Sequence, residues 1–328
     1  MNKLLASLDQ RVPAKSISFE DNYVLSYDSQ LSITSFLKKS IIGINPYYAK
    51  LFLREYINKI EQGNEEISDE LYELYCDPDI LNAVELGPSD TDLLRFYING
   101  LEEEYSSAEN ESILIKETPK LISGNNTTGL RTWEAALYLA NYINRKTNTP
   151  YDFKDKTILE LGCGTGLVGL ALLKNYNSRI APIKELIMTD GSTVVFDNVK
   201  DTLKLNSLEK NMKVHFQQLI WGPDSFTENS DKQVDVILGA DITYDSTVVE
   251  SLCISIKDFF VHRGTNLAVI AATVRNIDTI LAWELELNNY FNGNWRITSK
   301  VDKPEHINST CYFKPGTQEI RIYEIVNN

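Results

Sequence analysis

The run Thr157-Ile158-Leu159-Glu160-Leu161-Gly162-Cys163-Gly164-Thr165-Gly166 constrains the fold more than any other part of the chain. An apolar strand with one acid enters a glycine-rich turn, and Leu167 to Leu173 continue as a helix. Strand, glycine turn and helix in that order open an α/β sheet of the kind that binds small molecules at the carboxyl ends of its strands. Glycine at such a turn lets the backbone approach a ligand closely. The spacing then selects the ligand. A dinucleotide loop reads G-x-G-x-x-G and seats a pyrophosphate on the helix N-terminus. Here the glycines fall at 162, 164 and 166, and Glu160 stands two residues before the first. A carboxylate at that place repels a pyrophosphate and suits a cation.

Downstream the pattern alternates. Strands are expected at 157–161, 185–189, 213–219, 234–240, 265–273, 295–300 and 318–326, with helices at 165–175, 192–206, 246–260 and 276–290. Such alternation implies a mostly parallel sheet with helices on both faces. No helix of any length separates the last two strands, so they are expected to pair antiparallel at an edge. The first 110 or so residues read as helical: Tyr48, Leu51, Phe52, Tyr56 and Ile60 recur every three or four positions, and Leu71, Leu74, Ile80 and Leu81 less regularly. Ser89-Asp90-Thr91-Asp92 reads as a helix start before Leu93 to Leu101. Residues 112–116 and 119–122 read as a short strand pair, 124–129 as a loop, and Thr132 as the cap of a helix ending near Asn144. Two units follow, 1–111 helical and 112–328 α/β.

The chain has 328 residues, ample for a large core, and its net charge is −14. From Glu61 to Glu117 there are seventeen acids against two bases, Arg95 and Lys116. Acidity this local makes a poor nucleic-acid surface, because phosphate binding rests on Lys and Arg. It suits a basic protein partner, or simply keeps helices solvated. The four cysteines are scattered, without a C-x-x-C pair, which argues against zinc or a disulfide framework and fits a reducing compartment. The start, Met1 to Asp9, is too short and too soon acidic for a signal peptide, and no apolar run reaches the roughly 18 residues of a membrane helix. A cytoplasmic monomer is expected. His215, His262 and His306 have no metal-like spacing, and Ser123 and Ser192 no nucleophile context.

Four features close successive strands. Glu160 and its glycines close the first. Asp190, in Met188-Thr189-Asp190-Gly191, closes the second and is placed to accept hydrogen bonds from ribose hydroxyls; standing alone it would equally read as a helix cap. Leu219-Ile220-Trp221-Gly222 follows the third, where Trp221 can pack on an adenine or belong to the core. Ala240-Asp241-Ile242-Thr243-Tyr244 closes the fourth, where a donor and an acceptor would meet; the bland alternative is a strand-end acid capping the next helix. A cationic, adenosine-bearing ligand fits all four, and S-adenosylmethionine is such a ligand. Methyl transfer from a sulfonium is an in-line displacement, so the protein mainly orients the reactants. A lysine acceptor must first lose a proton, at roughly 4 kcal/mol near neutral pH, and an apolar channel lowers that cost. Asp241 would orient the amine and Tyr244 line the channel.

These residues resemble the class I, seven-strand methyltransferases, and more narrowly the lysine methyltransferases of family 16. The resemblance lies in Thr132-Trp133-Glu134-Ala135-Ala136-Leu137-Tyr138-Leu139 before the first strand, in Leu219-Ile220-Trp221-Gly222 and in the D-x-x-Y run Asp241 to Tyr244. It implies a Rossmann-like seven-stranded, mostly parallel sheet with an antiparallel edge strand and a helical N-terminal accessory region. It also implies that Trp133, Gly162, Gly164, Asp190, Trp221 and Ala240 hold S-adenosylmethionine; Glu160, Cys163 and Gly166 of the loop are expected to join them, with Asp241 and Tyr244 catalytic and no metal.

Within the branch the chain is similar to the elongation factor 2 lysine methyltransferases, in Asn45-Pro46-Tyr47, Phe52-Leu53-Arg54-Glu55-Tyr56-Ile57, Thr127-Thr128-Gly129-Leu130 and Thr273-Val274-Arg275-Asn276. That likeness implies elongation factor 2 as the protein partner, docked on the acidic N-terminal region, where Glu65, Glu66 and Glu102 to Glu104 are the acids to neutralise in a test. Arg131 departs from the pattern, standing where an apolar residue is expected more often. A methyltransferase of RNA or of glutamine would carry two prolines in the fourth motif, which are missing here. A small-molecule methyltransferase would not need the N-terminal extension. A non-catalytic binding protein would share the cofactor residues and differ only in activity.

Overall fold

The computed structural model describes residues 2–19, 22–98, 101, 112–121, 127–145, 150–179, 182–209, 214–223, 232–307 and 311–327. The loop residues 124–126 and Glu102 to Glu104 lie outside these. Five helices come first: α1 (Asn2–Asp9), α2 (Tyr27–Ser40), α3 (Pro46–Gln62), α4 (Asp69–Tyr75) and α5 (Pro78–Leu81). The start of α3 is set locally. Asn45 caps it by accepting the Tyr48 N–H at 2.9 Å, and Pro46 occupies the first turn, where no N–H is needed. Tyr48, Phe52, Tyr56 and Ile60 then fall on one buried face, and Phe52 and Tyr56 stack with Phe19.

Next come two antiparallel strands, β1 (Asp92–Tyr97) and β2 (Ser112–Glu117), with Asp92 opposite Glu117 and Tyr97 opposite Ser112. This corrects two expectations. Ser89 to Asp92 does not start a helix: Leu94 and Phe96 turn inward with a period of two, the signature of a strand. Asp92 is a buried anion, 3.1 Å from Arg11 and hydrogen-bonded by the Asn45 amide at 2.6 Å. Residues 112–116 pair with this strand rather than with 119–122, because Pro119 and Lys120 form a turn.

The hairpin joins the N-terminal helices to the rest. On one side the Tyr97 hydroxyl donates to Asp9 at 2.6 Å, and Arg11 donates to the Leu93 carbonyl at 2.9 Å. On the other side Asn206 accepts from the Leu114 N–H at 2.9 Å and donates to the Leu114 carbonyl at 2.7 Å, while Asn198 donates to the Lys116 carbonyl at 2.7 Å.

The remainder is one seven-stranded sheet: β3 (Thr157–Leu161), β4 (Glu185–Asp190), β5 (Val214–Gln218), β6 (Val236–Ala240), β7 (Leu267–Thr273), β8 (Trp295–Val301) and β9 (Ile320–Val326), in the order β5-β4-β3-β6-β7-β9-β8. β3 to β7 pair parallel, and β9 runs antiparallel to both β7 and β8. The intervening helices are α6 (Glu134–Ile143), α7 (Leu167–Arg179), α8 (Val194–Leu205), α9 (Val249–His262) and α10 (Ile277–Phe291). This is the Rossmann-like, mostly parallel architecture. Alternation along β3 sends Leu159 and Leu161 into the core shared with α9 and α10, and Ile158 into the core shared with α6, α7 and α8. Glu160 shares the parity of Ile158 and so lies beneath α7. The strand order reverses between β3 and β6, and an open sheet of this kind binds its ligand at that crevice. No described helix is long and apolar enough to cross a membrane.

Candidate active site

A cleft of about 770 Å³ opens at the carboxyl ends of β3, β4 and β6, within the usual range of roughly 300–1,000 Å³ for small-molecule sites. The turn after β3 is shaped by glycine. Gly162 has φ +61°, and a Cβ there would sit 2.6 Å from Ile242 Cγ2, so an L side chain is strained by backbone and crowded in space. Gly164 donates its N–H to Asp190 at 3.1 Å, which ties the turn to the end of β4. Cys163 lines the cleft, and burial beside Glu160 and Asp190 holds it as a neutral thiol.

Each carboxylate has a distinct setting. Glu160 is buried and accepts the Gly169 N–H at 3.0 Å, near the start of α7. Burial pushes its carboxyl up to about 8; the Gly169 bond opposes that rise and the charge of Asp190 adds to it. At neutral pH the free protein therefore holds Glu160 largely protonated. Asp190 accepts from the Gly164 and Ser192 N–H groups, one on each oxygen, which leaves further lone pairs facing the cleft. Burial raises its pKa and the backbone bonds hold it back.

Trp133 and Trp221 bring aromatic faces to the lining, to which Ala240 also belongs. The Trp133 indole N–H donates to the Thr128 carbonyl at 3.1 Å, fixing the ring. Of the residues expected to hold the cofactor, Gly166 alone does not line the cleft. Its φ is +80°, and a Cβ there would meet Met188 and Val199 at 2.9 and 3.0 Å, so it brings α7 close to the sheet.

Asp241 occupies an unexpected setting. It is 7% exposed and has a left-handed φ of +54°, unusual for a side chain other than glycine. Its carboxylate accepts from the Ala135 N–H at 3.1 Å, from the Thr273 N–H and hydroxyl at 3.1 and 3.0 Å, and from two guanidinium nitrogens of Arg275 at 2.9 and 3.1 Å. Arg275 also donates to Glu134 at 3.0 Å and lies over the Trp133 ring. Thus Asp241, not Thr132, satisfies the start of α6, and the Thr132 hydroxyl pairs with that of Thr165 instead. Tyr244, by contrast, is 58% exposed at the cleft.

The lining meets the needs of S-adenosylmethionine: carboxylates for its positive charges, Asp190 lone pairs for ribose hydroxyls, aromatic faces for adenine, and a glycine turn where Cβ atoms are crowded. Among the described residues no cluster of three or more His, Cys, Asp or Glu could hold a metal. Fold and cleft together define a class I methyltransferase whose cofactor is S-adenosylmethionine. Residues 109–281 match the lysine methyltransferase family. The chain is 31% identical over 307 residues to the protein-lysine N-methyltransferase EFM3 of Saccharomyces cerevisiae, covering 86% of this chain and 85% of that one. It is 34% identical to EFM3 of Chaetomium thermophilum (71% and 69% covered) and 31% identical to the human protein-lysine N-methyltransferase EEF2KMT (73% and 69%). The chain belongs to the lysine methyltransferase family.

Proposed function

We propose that this enzyme methylates a lysine of elongation factor 2 in the cytoplasm, acting as a monomer without binding nucleic acid. The substrate reading is carried by the likeness to the human protein named EEF2KMT, which spans 73% of the chain. Residues 1–111 serve as the docking region and 112–328 as the catalytic domain.

S-adenosylmethionine supplies an electrophilic methyl on a sulfonium. Asp190 would accept from the ribose hydroxyls, Trp133 and Trp221 would offer aromatic faces to the adenosine, and the Gly162–Gly164 turn with Ala240 would allow close backbone approach. Glu160 balances positive charge once it ionises. Tyr244 walls the path of the acceptor amine, and its apolar ring favours the neutral lysine that carries a lone pair. Asp241 holds the rim: about four lone-pair sites meet five donors, so its carboxylate fixes α6, β7 and Arg275 in place and acts on the amine through that frame.

The test is transfer of label from S-adenosylmethionine to purified elongation factor 2, with Tyr244→Ala as the control. One labelled lysine, lost in the variant, is the expected result. Labelling confined to another protein of a cytosolic extract would replace the substrate and keep the enzyme class.

A further inference from the structure

A second cavity, of about 210 Å³, lies where the turn after α1, the β1–β2 hairpin, the start of α6 and residues 312–314 meet. It shares Arg131, Thr132 and Trp133 with the cofactor cleft, so the two open side by side. Some of its polar groups are committed. Asp92 is held by Arg11 and Asn45, and Glu134 by Arg275.

What remains is mostly donors. Gln10 is 8% exposed; its carbonyl oxygen accepts the Tyr312 N–H at 2.9 Å, but its amide nitrogen is buried without a partner among the described residues. Arg131 and Lys314 have no carboxylate within 4.0 Å among the described residues. Burial, then the charge of Arg131, lowers the Lys314 pKa, and the charges of Glu134 and Glu117 offset part of that. The Tyr312 hydroxyl can donate or accept, and Glu117, which takes the Thr132 N–H at 3.2 Å, is an acceptor there. Burial pushes its carboxyl up to about 7, against the pull of Thr132 and Arg131, so near neutrality it is partly protonated. A buried donor without a partner costs free energy until an acceptor meets it, and Arg131, stacked on Trp133, and the exposed Lys314 place positive charge beside that donor.

We infer that this cavity is a specificity subsite that receives the carboxylate side chain of an Asp or Glu lying near the methylated lysine on the protein acceptor. The inference rests on the reading above that the acceptor is a protein. Its volume suits one side chain rather than a second cofactor. Residues two apart on an extended chain present side chains about 7 Å apart on one face, so neighbouring side chains of one acceptor segment can enter two cavities that share Arg131, Thr132 and Trp133 as lining. Arg131, the position at which the sequence departs from the family pattern, belongs to both openings. The turn after α1 contributes Gln10 to Pro13, so the N-terminal region takes part in selecting the substrate at the catalytic cleft itself.

The test uses the full-length enzyme, S-adenosylmethionine and purified elongation factor 2. Lys314→Glu is expected to raise KM for the factor by about tenfold or more, the effect of roughly 1.4 kcal/mol, while kcat and the Kd for S-adenosylmethionine stay within about twofold. Gln10→Leu is expected to raise KM less. In the reciprocal arm, each Asp or Glu near the labelled lysine of the factor is changed to Lys. One such change is expected to cripple methylation by the wild-type enzyme and to be rescued by Lys314→Glu. An unchanged KM for Lys314→Glu, or rescue by no acceptor variant, overturns the subsite. Competition by inorganic phosphate with no effect of any acceptor substitution assigns the cavity to a free anion and overturns it equally. Absence of any labelling by the wild-type enzyme overturns the functional reading, and this inference with it.

Discussion

Arg275 holds Asp241 through two hydrogen bonds of 2.9 and 3.1 Å, one to each carboxylate oxygen, and reaches on to Glu134 at 3.0 Å. The pair ties the turn after β7 to the turn after β6 and to the start of α6. A planar fork meets a planar carboxylate, an arrangement that a lysine ammonium cannot reproduce.

Replacing Arg275 by Met leaves Asp241 charged, buried and short of a partner. Breaking a fully buried pair costs about 3–5 kcal/mol. The guanidinium here is 37% exposed, so about 1–3 kcal/mol is expected after solvent screening. Thermal unfolding should show a fall in Tm of several degrees, and Arg275→Lys should recover only part of it. A Tm equal to wild type in both variants would show that the fork carries no stability.

Glu160 makes cofactor binding depend on pH. Its carboxyl stands at about 8 in the free protein against an ordinary 4.5, and a bound cation favours the ionised form. Binding should therefore release a proton near neutral pH, and affinity should rise with pH until about 8 and then level off. Calorimetry in two buffers of different ionisation enthalpy counts that proton, and Glu160→Gln should abolish it.

The same group shapes the stability of the free protein, and Glu117, at about 7, acts alike. Both bind their protons more tightly folded than unfolded. The stability they contribute is complete below about 4.5 and is lost as pH rises through about 7 and then 8. Denaturation at fixed temperature across that window should show the decline, and Glu117→Gln should flatten its lower part.

Two glycines of the cleft should respond oppositely to alanine. At Gly162 the new Cβ meets Ile242 at 2.6 Å on a left-handed backbone, whereas nothing lies within 4 Å of a Cβ at Gly191. Gly162→Ala is expected to cost at least about 1–2 kcal/mol and to weaken S-adenosylmethionine binding severalfold or more. Gly191→Ala should fold as the wild type does. Equal Tm values for the two would remove the steric explanation.

Tyr244 tests the acceptor channel apart from the fold. Its exposure means that Tyr244→Phe and Tyr244→Ala should leave Tm and cofactor Kd nearly unchanged. Phe keeps the apolar wall and should retain kcat within a few-fold; Ala should lose about tenfold or more in kcat/KM. Equal activity of the two variants would take Tyr244 out of the channel.

Much of the sheet is legible in the sequence because buried parallel strands are short apolar runs between turn residues, as in Ile158, Leu159 and Leu161 or Val236, Ile237 and Leu238. What was not legible depends on partners distant along the chain. Asp92 looks like a helix cap because Ser89 and Asp90 precede it, yet its partner Arg11 stands 81 residues away. Thr132 looks like the cap of α6, while the residue that serves is Asp241, 106 residues beyond the Ala135 N–H it accepts. Arg275 is visible in sequence only as part of a family-like run. Nothing local shows that it grips Asp241 beside Trp133. Parity along β3 is the local signal for Glu160: counting alternate positions from Ile158 places its carboxylate under α7.

Asn206 has a consequence for how the protein keeps company. Its amide offers β2 the same acceptor and donor, at Leu114, that a third strand's backbone would offer. The hairpin thus ends in a side chain, and its outer edge is closed to a strand from another molecule. In a crowded solution, a row of α8-side groups, Asn206 with Asn198 and Thr202, stands between a finished two-stranded sheet and a template on which other chains could stack.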